Sequence, residues 1–118
     1  MANFLIQGVS YKTLAPLGAQ TYDLVPSDYN GNIFQLVTLN VDSTAGIVTI
    51  NLPEISTLNN NWNCKIVVVR TAGANNVVVT AGGSDKIGSL ASETLTAINK
   101  SIVLNPVEDI NWYGVHTA

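Results

Sequence analysis

Apolar and polar positions along this chain alternate in short runs, and turn residues separate the runs. The first run, residues 21–25, ends at Pro26. Asn30-Gly31 follows as a turn dipeptide, because both residues tolerate positive φ. In 33–41, Ile33, Val37, Leu39 and Val41 fall on one face, and Phe34 and Leu36 on the other. A turn at 42–46 leads into 47–52, where Val48, Ile50 and Leu52 face one way and Pro53 closes the strand. Residues 54–63 form a polar, Asn-rich connection with room for one helical turn. Runs 64–70 and 77–80 read as a hairpin around 71–76, and 81–85 as a tight turn. Strands at 94–98, 101–104 and 110–115 finish the chain, with Pro106 breaking the last two apart. No window of helical length sustains the i, i+3/i+4, i+7 spacing. The pattern predicts an all-β fold, a small antiparallel β-sandwich or jelly-roll-like domain of about eight short strands.

Residues 1–18 stand apart. Phe4, Leu5, Ile6 and Val9 form an apolar patch before Pro16 and Gly18 break the chain. They read as an N-terminal arm or edge strand in front of a single domain at 19–118. As an arm, Phe4, Leu5, Ile6 and Val9 are candidates for docking on a neighbouring subunit or a larger assembly.

Charge sharpens the picture. The 118 residues include five Lys/Arg and eight Asp/Glu, 11% of the chain, where soluble domains average about 25%. Mean hydropathy is +0.27, too apolar for a disordered chain. Surface scaling predicts about 6,000 Å² of accessible area for a compact chain of this mass. So few charges over such an area, with strands apolar on both faces at 33–41 and 66–69, predict that part of the surface is buried against other subunits. A homo-oligomer is expected. Net charge is −3, and Lys12, Lys65, Arg70, Lys86 and Lys100 lie far apart. A nucleic-acid partner is not expected, since phosphate binding needs clustered cations. The start of the chain has neither a basic n-region nor a long apolar h-region, so no secretory signal is expected. No apolar run is long enough to predict a membrane span.

Candidate chemistry is sparse. Cys64 is a lone thiol in an apolar stretch and reads as a small buried hydrophobe. His116, the single histidine, reads as a solvated tail residue, too near the chain end to be held for catalysis. Glu108 and Asp109 are adjacent, and in extended chain their side chains point apart. Alternating oxygen donors at 28–32 lack the further acid that a calcium loop requires. Gly82, Gly83 and Gly88 do not have phosphate-loop spacing. Neither catalytic residues, nor a metal site, nor a cofactor is expected. Trp112 and Tyr113 sit side by side on a strand, so one is expected in the core and the other near an interface. Trp62, Trp112 and Tyr113 are the alternative candidates, for stacking on sugar rings.

The order of several short motifs resembles a known module. Leu52-Pro53 is followed by 65–69 (KIVVV), Ala74-Asn75-Asn76 with Val77-Val78-Val79, then Gly82-Gly83-Ser84-Asp85-Lys86-Ile87-Gly88, Ser101-Ile102-Val103-Leu104 and Asn111-Trp112-Tyr113. Across residues 20–115 this resembles a β-module of bacteriophage virion proteins, found in tail fibres and tailspikes, head fibres and auxiliary capsid proteins. The resemblance implies a non-enzymatic structural protein, usually a homotrimer. It would be made in the host bacterial cytoplasm and located in the virion, on the capsid surface. Expected partners are copies of itself and the phage major capsid protein or another virion protein. A decoration protein would bridge shell subunits, with Phe4, Leu5, Ile6, Val9, Trp112 and Tyr113 at capsid or subunit contacts. The alternative is a tail-associated or tail-fibre component that binds host surface glycans.

Overall fold

A computed structural model describes residues 9–24, 36–58, 63–108 and 110–117. The expected Asn30-Gly31 turn, the 28–32 loop and residues 1–8 of the expected arm lie outside them. The described chain forms ten strands: β1 (Val9–Leu14), β2 (Gln20–Asp23), β3 (Leu36–Ser43), β4 (Val48–Asn51), β5 (Asn63–Thr71), β6 (Val77–Thr80), β7 (Lys86–Ile87), β8 (Ser92–Leu95), β9 (Ser101–Glu108) and β10 (Asn111–Thr117). One 3-10 turn, Ile55–Thr57, fills the polar connection, as expected.

The all-β reading holds, but the pairing is mixed where antiparallel sheets were expected. One sheet has six strands in the order β1-β3-β5-β9-β10-β7, the other four in the order β2-β4-β6-β8. Among the described strands, five of the eight pairings are parallel. The chain passes from one sheet to the other after every strand from β1 to β6, so the segment 71–76 is a corner between sheets and not a hairpin. The connectivity is that of a stacked coil, not a jelly roll. Val9 lies beside Leu36 and Leu36 beside Asn63, a step of 27 residues each time. Gln20 lies beside Val48 and Val48 beside Val77, steps of 28 and 29. Three turns of coil are then closed by β8 and β9, which run antiparallel to β6 and β5. Strand β10 returns along β9, and the short β7 pairs with β10.

Alternation along the strands builds the core. Leu39 and Val41 of β3, Val48 and Ile50 of β4, Cys64, Ile66 and Val68 of β5, and Val77 and Val79 of β6 meet in one buried cluster with Ile102, Leu104 and Trp112. Total accessible area is 6511 Å², close to the scaling value for a compact chain. Register shows how the core ends. On the six-stranded sheet, one inward row runs Lys12, Leu39, Ile66, Ile102, His116. Facing it on the other sheet run Tyr22, Ile50, Val79, Glu93. The middle members are apolar and buried, while both ends are polar pairs across the sheets. Lys12 Nζ donates to the Tyr22 hydroxyl at 2.7 Å and lies 4.9 Å from its ring centroid. His116 Nε2 lies 3.3 Å from Glu93 Oε1. Lys12 and His116 are exposed at the two ends of this buried row, where polar side chains meet solvent.

The corners are seated backbone on backbone. A Cβ added at Gly46 would come within 2.3 Å of the Ala19 nitrogen, so only glycine lets the β3–β4 corner lie against the β1–β2 corner. One layer on, Ser43 Oγ donates to the Asn75 carbonyl at 2.7 Å and Asn75 Nδ2 to the Thr44 carbonyl at 3.0 Å.

Pro106 was expected to end a strand, yet β9 runs through it to Glu108. The described pairing of β9 with β5 stops at Leu104. Beyond that point Pro106 faces only β10, opposite Trp112 and next to a register shift. An imide nitrogen without a hydrogen is tolerated where one side of the strand has no ladder to feed.

An apolar outer face and an apolar edge as the candidate functional site

Ile102, Leu104 and Trp112 of β9 and β10 point into the core, and Val103, Asn105, Tyr113 and Val115, which alternate with them, point out. Trp112 is fully buried, and Gly114 beside it leaves room for Ile102, Ile87 and Leu104, whose side-chain atoms lie 3.0–3.4 Å from where its Cβ would be. Tyr113, the next residue after Trp112, is 59% exposed. The expected split of this pair into one core and one surface ring is therefore realised. Trp112 has no exposed ring face for a sugar to stack on. Tyr113 does. Phe4, Leu5, Ile6 and Trp62 lie outside the described residues, and Val9 belongs to the edge strand β1.

Tyr113 has company on the outer face. Val115 and Val107 are both exposed, and register puts Val115 opposite Val103 and Tyr113 opposite Asn105. On the adjoining β5, Val67 and Val69 are half-buried on the same face. Lys65, opposite Val103, is the one charged residue among the described outward side chains of β5, β9 and β10, apart from Arg70 at the corner end of β5. Arg70 lies 3.9 Å from Asp42 of β3. The result is a valine-rich strip with a tyrosine in it, bordered by Asn105, Asn111 and Lys65.

A second apolar group lies on the edge where the turns pass between sheets. Leu17, in the β1–β2 corner, is 99% exposed, and Ile47 (β3–β4) and Ile98 (β8–β9) are exposed too. The sequence reading did not single these out, because an isolated apolar residue in a turn carries no periodic signal. Only stacking of the coils brings successive corners to one edge.

Reactive groups are held quietly. Cys64 is buried, and burial pushes its thiol up to about 12, so the nucleophilic thiolate is scarce near neutrality. His116 is solvated as expected, but it lies on β10, paired with Ile102 and facing Glu93, and is not part of a free tail. Hydrogen bonds from Thr44, with a smaller contribution from Arg70, hold the Asp42 carboxyl below its ordinary range. Among the described residues no three His, Cys, Asp or Glu side chains gather as metal ligands would. No helix among them is long and apolar enough to cross a membrane.

No protein-family model and no curated protein matches the chain.

The motif residues behind the phage-module resemblance take structural positions. Gly82 lies against the backbone of Leu52 and Pro53, where a Cβ would come within 2.7 Å of the Leu52 carbonyl. Asp85 is buried and accepts the Ile55 N–H at 2.8 Å, tying that turn to the start of the 3-10 segment. Gly88, at φ +64, donates its N–H to the Trp112 carbonyl at 3.0 Å. Leu52-Pro53, the glycine turn and Asn-Trp-Tyr are thus linked at the end of the core away from the Gly46 corner. They specify how the coil is closed. The outer strip and the corner edge lie apart from this closure.

Proposed function

We propose that this protein is a non-enzymatic structural component of a bacteriophage virion, a capsid decoration protein that assembles as a homotrimer and bridges shell subunits. The observation that carries the reading is the number of exposed apolar side chains, on the strip of Val107, Tyr113 and Val115, along the corner edge at Leu17, Ile47 and Ile98, and at Leu90 and Ile110, on a chain with 11% charge. A building block in a shell touches more than one neighbour and needs more than one such surface. Burial of apolar area at each contact opposes the outward pressure of a packaged genome. Phe4, Leu5 and Ile6 contribute to the shell contact in this reading, as part of the segment that precedes β1.

Quantitative mass spectrometry of purified virions tests it. A copy number in simple proportion to the major capsid protein is the expected result. A number fit only for a tail or a single vertex would overturn decoration and favour the glycan-binding alternative, in which the exposed Tyr113 ring stacks on host sugars.

A further inference from the structure

We infer that the outer face of the six-stranded sheet, centred on β9 and β10, is the self-contact of the trimer, turned inward so that the same strip of each copy meets those of its two neighbours about the threefold axis. This rests on the reading of the protein as an assembly component and names the occupant of one of its two surfaces.

Size supports it first. The six strands, at about 3.3 Å per residue and about 4.8 Å apart, present a face on the order of 600 Å². A standard protein interface buries about 800 Å² per partner. Layout supports it next. Val103, Val107, Tyr113 and Val115 form the strip on β9 and β10 with Asn105 opposite Tyr113, and on β5 the half-buried Val67 and Val69 extend it past Lys65, which lies opposite Val103, toward Thr38 and Asn40 of β3. A mainly apolar strip that gives way to polar side chains on its β3 side has the composition of a contact core beside its rim.

Charge then selects the partner. A copy meeting itself brings the same charges to both sides, so a self-contact must be nearly uncharged where it closes. The protein carries a net charge of −3, yet the described outward side chains of β5, β9 and β10 include no carboxylate. The cations there, Lys65 and the Asp42-paired Arg70, border the strip. A face built to select a charged partner would carry the opposite sign in its centre, and this one carries valine and tyrosine. The corner edge at Leu17 is left for the shell.

Sedimentation equilibrium of the full chain over a range of concentrations tests the assignment. Wild type is expected at three times the single-chain mass of 12.5 kDa. Tyr113→Lys and Val115→Lys are expected to reduce the mass to that of one chain. Both side chains are exposed, so the far-ultraviolet dichroism and the near-ultraviolet signal of the buried Trp112 should be unchanged. Leu17→Lys, on the edge, should keep the wild-type mass. A wild type that stays monomeric, or lysine variants that keep the oligomer, would overturn the self-contact. A monomer found on virions in proportion to the shell protein would sink this assignment and leave decoration standing. An oligomer absent from the shell would do the reverse.

Discussion

At Trp112 and Tyr113 one peptide bond separates the deepest side chain of the core from an open ring, and substitution should separate them energetically. Trp112 is fully buried among Ile87, Ile102 and Leu104 neighbours, so Trp112→Ala should cost about 3–5 kcal/mol in denaturant unfolding. Tyr113→Ser in a monomeric background should cost less than about 1 kcal/mol, since an exposed ring loses little burial. Gly46 and Gly18 make a second contrast. Alanine at Gly46 would drive its Cβ into the Gly18–Ala19 backbone and should cost at least about 1–3 kcal/mol. Alanine at Gly18 meets nothing within 4 Å and should be neutral or stabilise by up to about 1 kcal/mol. Cys64 gives a prediction in pH. Its thiol is held protonated by burial up to about 12, while the unfolded thiol ionises near its ordinary value of 9.0. The raised value makes its contribution complete below pH 9 and lost as the pH climbs from there toward 12. Stability of the wild type should fall more steeply across that window than that of Cys64→Ala. In the native protein a thiol reagent at neutral pH should label Cys64 only at the rate of unfolding.

Among the elements, protection should follow position in the sheets. Strand β5 is paired on one side with β3 and on the other with β9, and Ile66 and Val68 are buried. Its amides, such as the Val68 N–H bonded to the Lys100 carbonyl at 2.9 Å, should exchange only through global opening. Those of β7, two residues long and next to a single described strand, should exchange orders of magnitude faster. Uniform protection across β5 and β7 would mean that the edges are covered by something else. Most strands were legible in the sequence because alternation reports which side chains face the core. Val48, Ile50 and Leu52 are buried as the alternation requires. Partner identity was not legible in that way. The same alternation suits a hairpin or a coil, and 71–76 resembles a hairpin turn until its strands are seen in different sheets. The available signal was the period. Thr44-Ala45-Gly46 returns as Thr71-Ala72-Gly73, 27 residues on, and Leu24-Val25-Pro26 as Leu52-Pro53. Such a repeat marks stacked turns. The strip on β9 and β10 was half legible, through Trp112 and Tyr113. The corner edge was not legible at all, since Leu17, Ile47 and Ile98 have no regular spacing and share an edge only through the coil, with the 72–76 corner between the last two.

For the molecule as a whole, sparse charge and exposed apolar surface make stability and association one problem. If the strip is buried only between copies, the folded state is linked to concentration by mass action, and the oligomer melts at a temperature that rises as protein is added. A folded monomer has no such dependence. The expected result is a wild-type midpoint that climbs by several degrees over a hundredfold rise in concentration, and a Val115→Lys midpoint that stays fixed. Salt separates this mechanism from an electrostatic one. Contacts made by valine and tyrosine persist as ionic strength rises, whereas surface ion pairs are screened within about 8–10 Å at physiological salt. The wild-type slope should therefore be the same at low and at high salt. A slope that vanishes in salt would assign association to charged groups such as the exposed Arg70 and Lys86, and would remove the strip from the assembly. A slope that persists in salt and disappears with Val115→Lys ties the stability of the fold to the face through which it assembles.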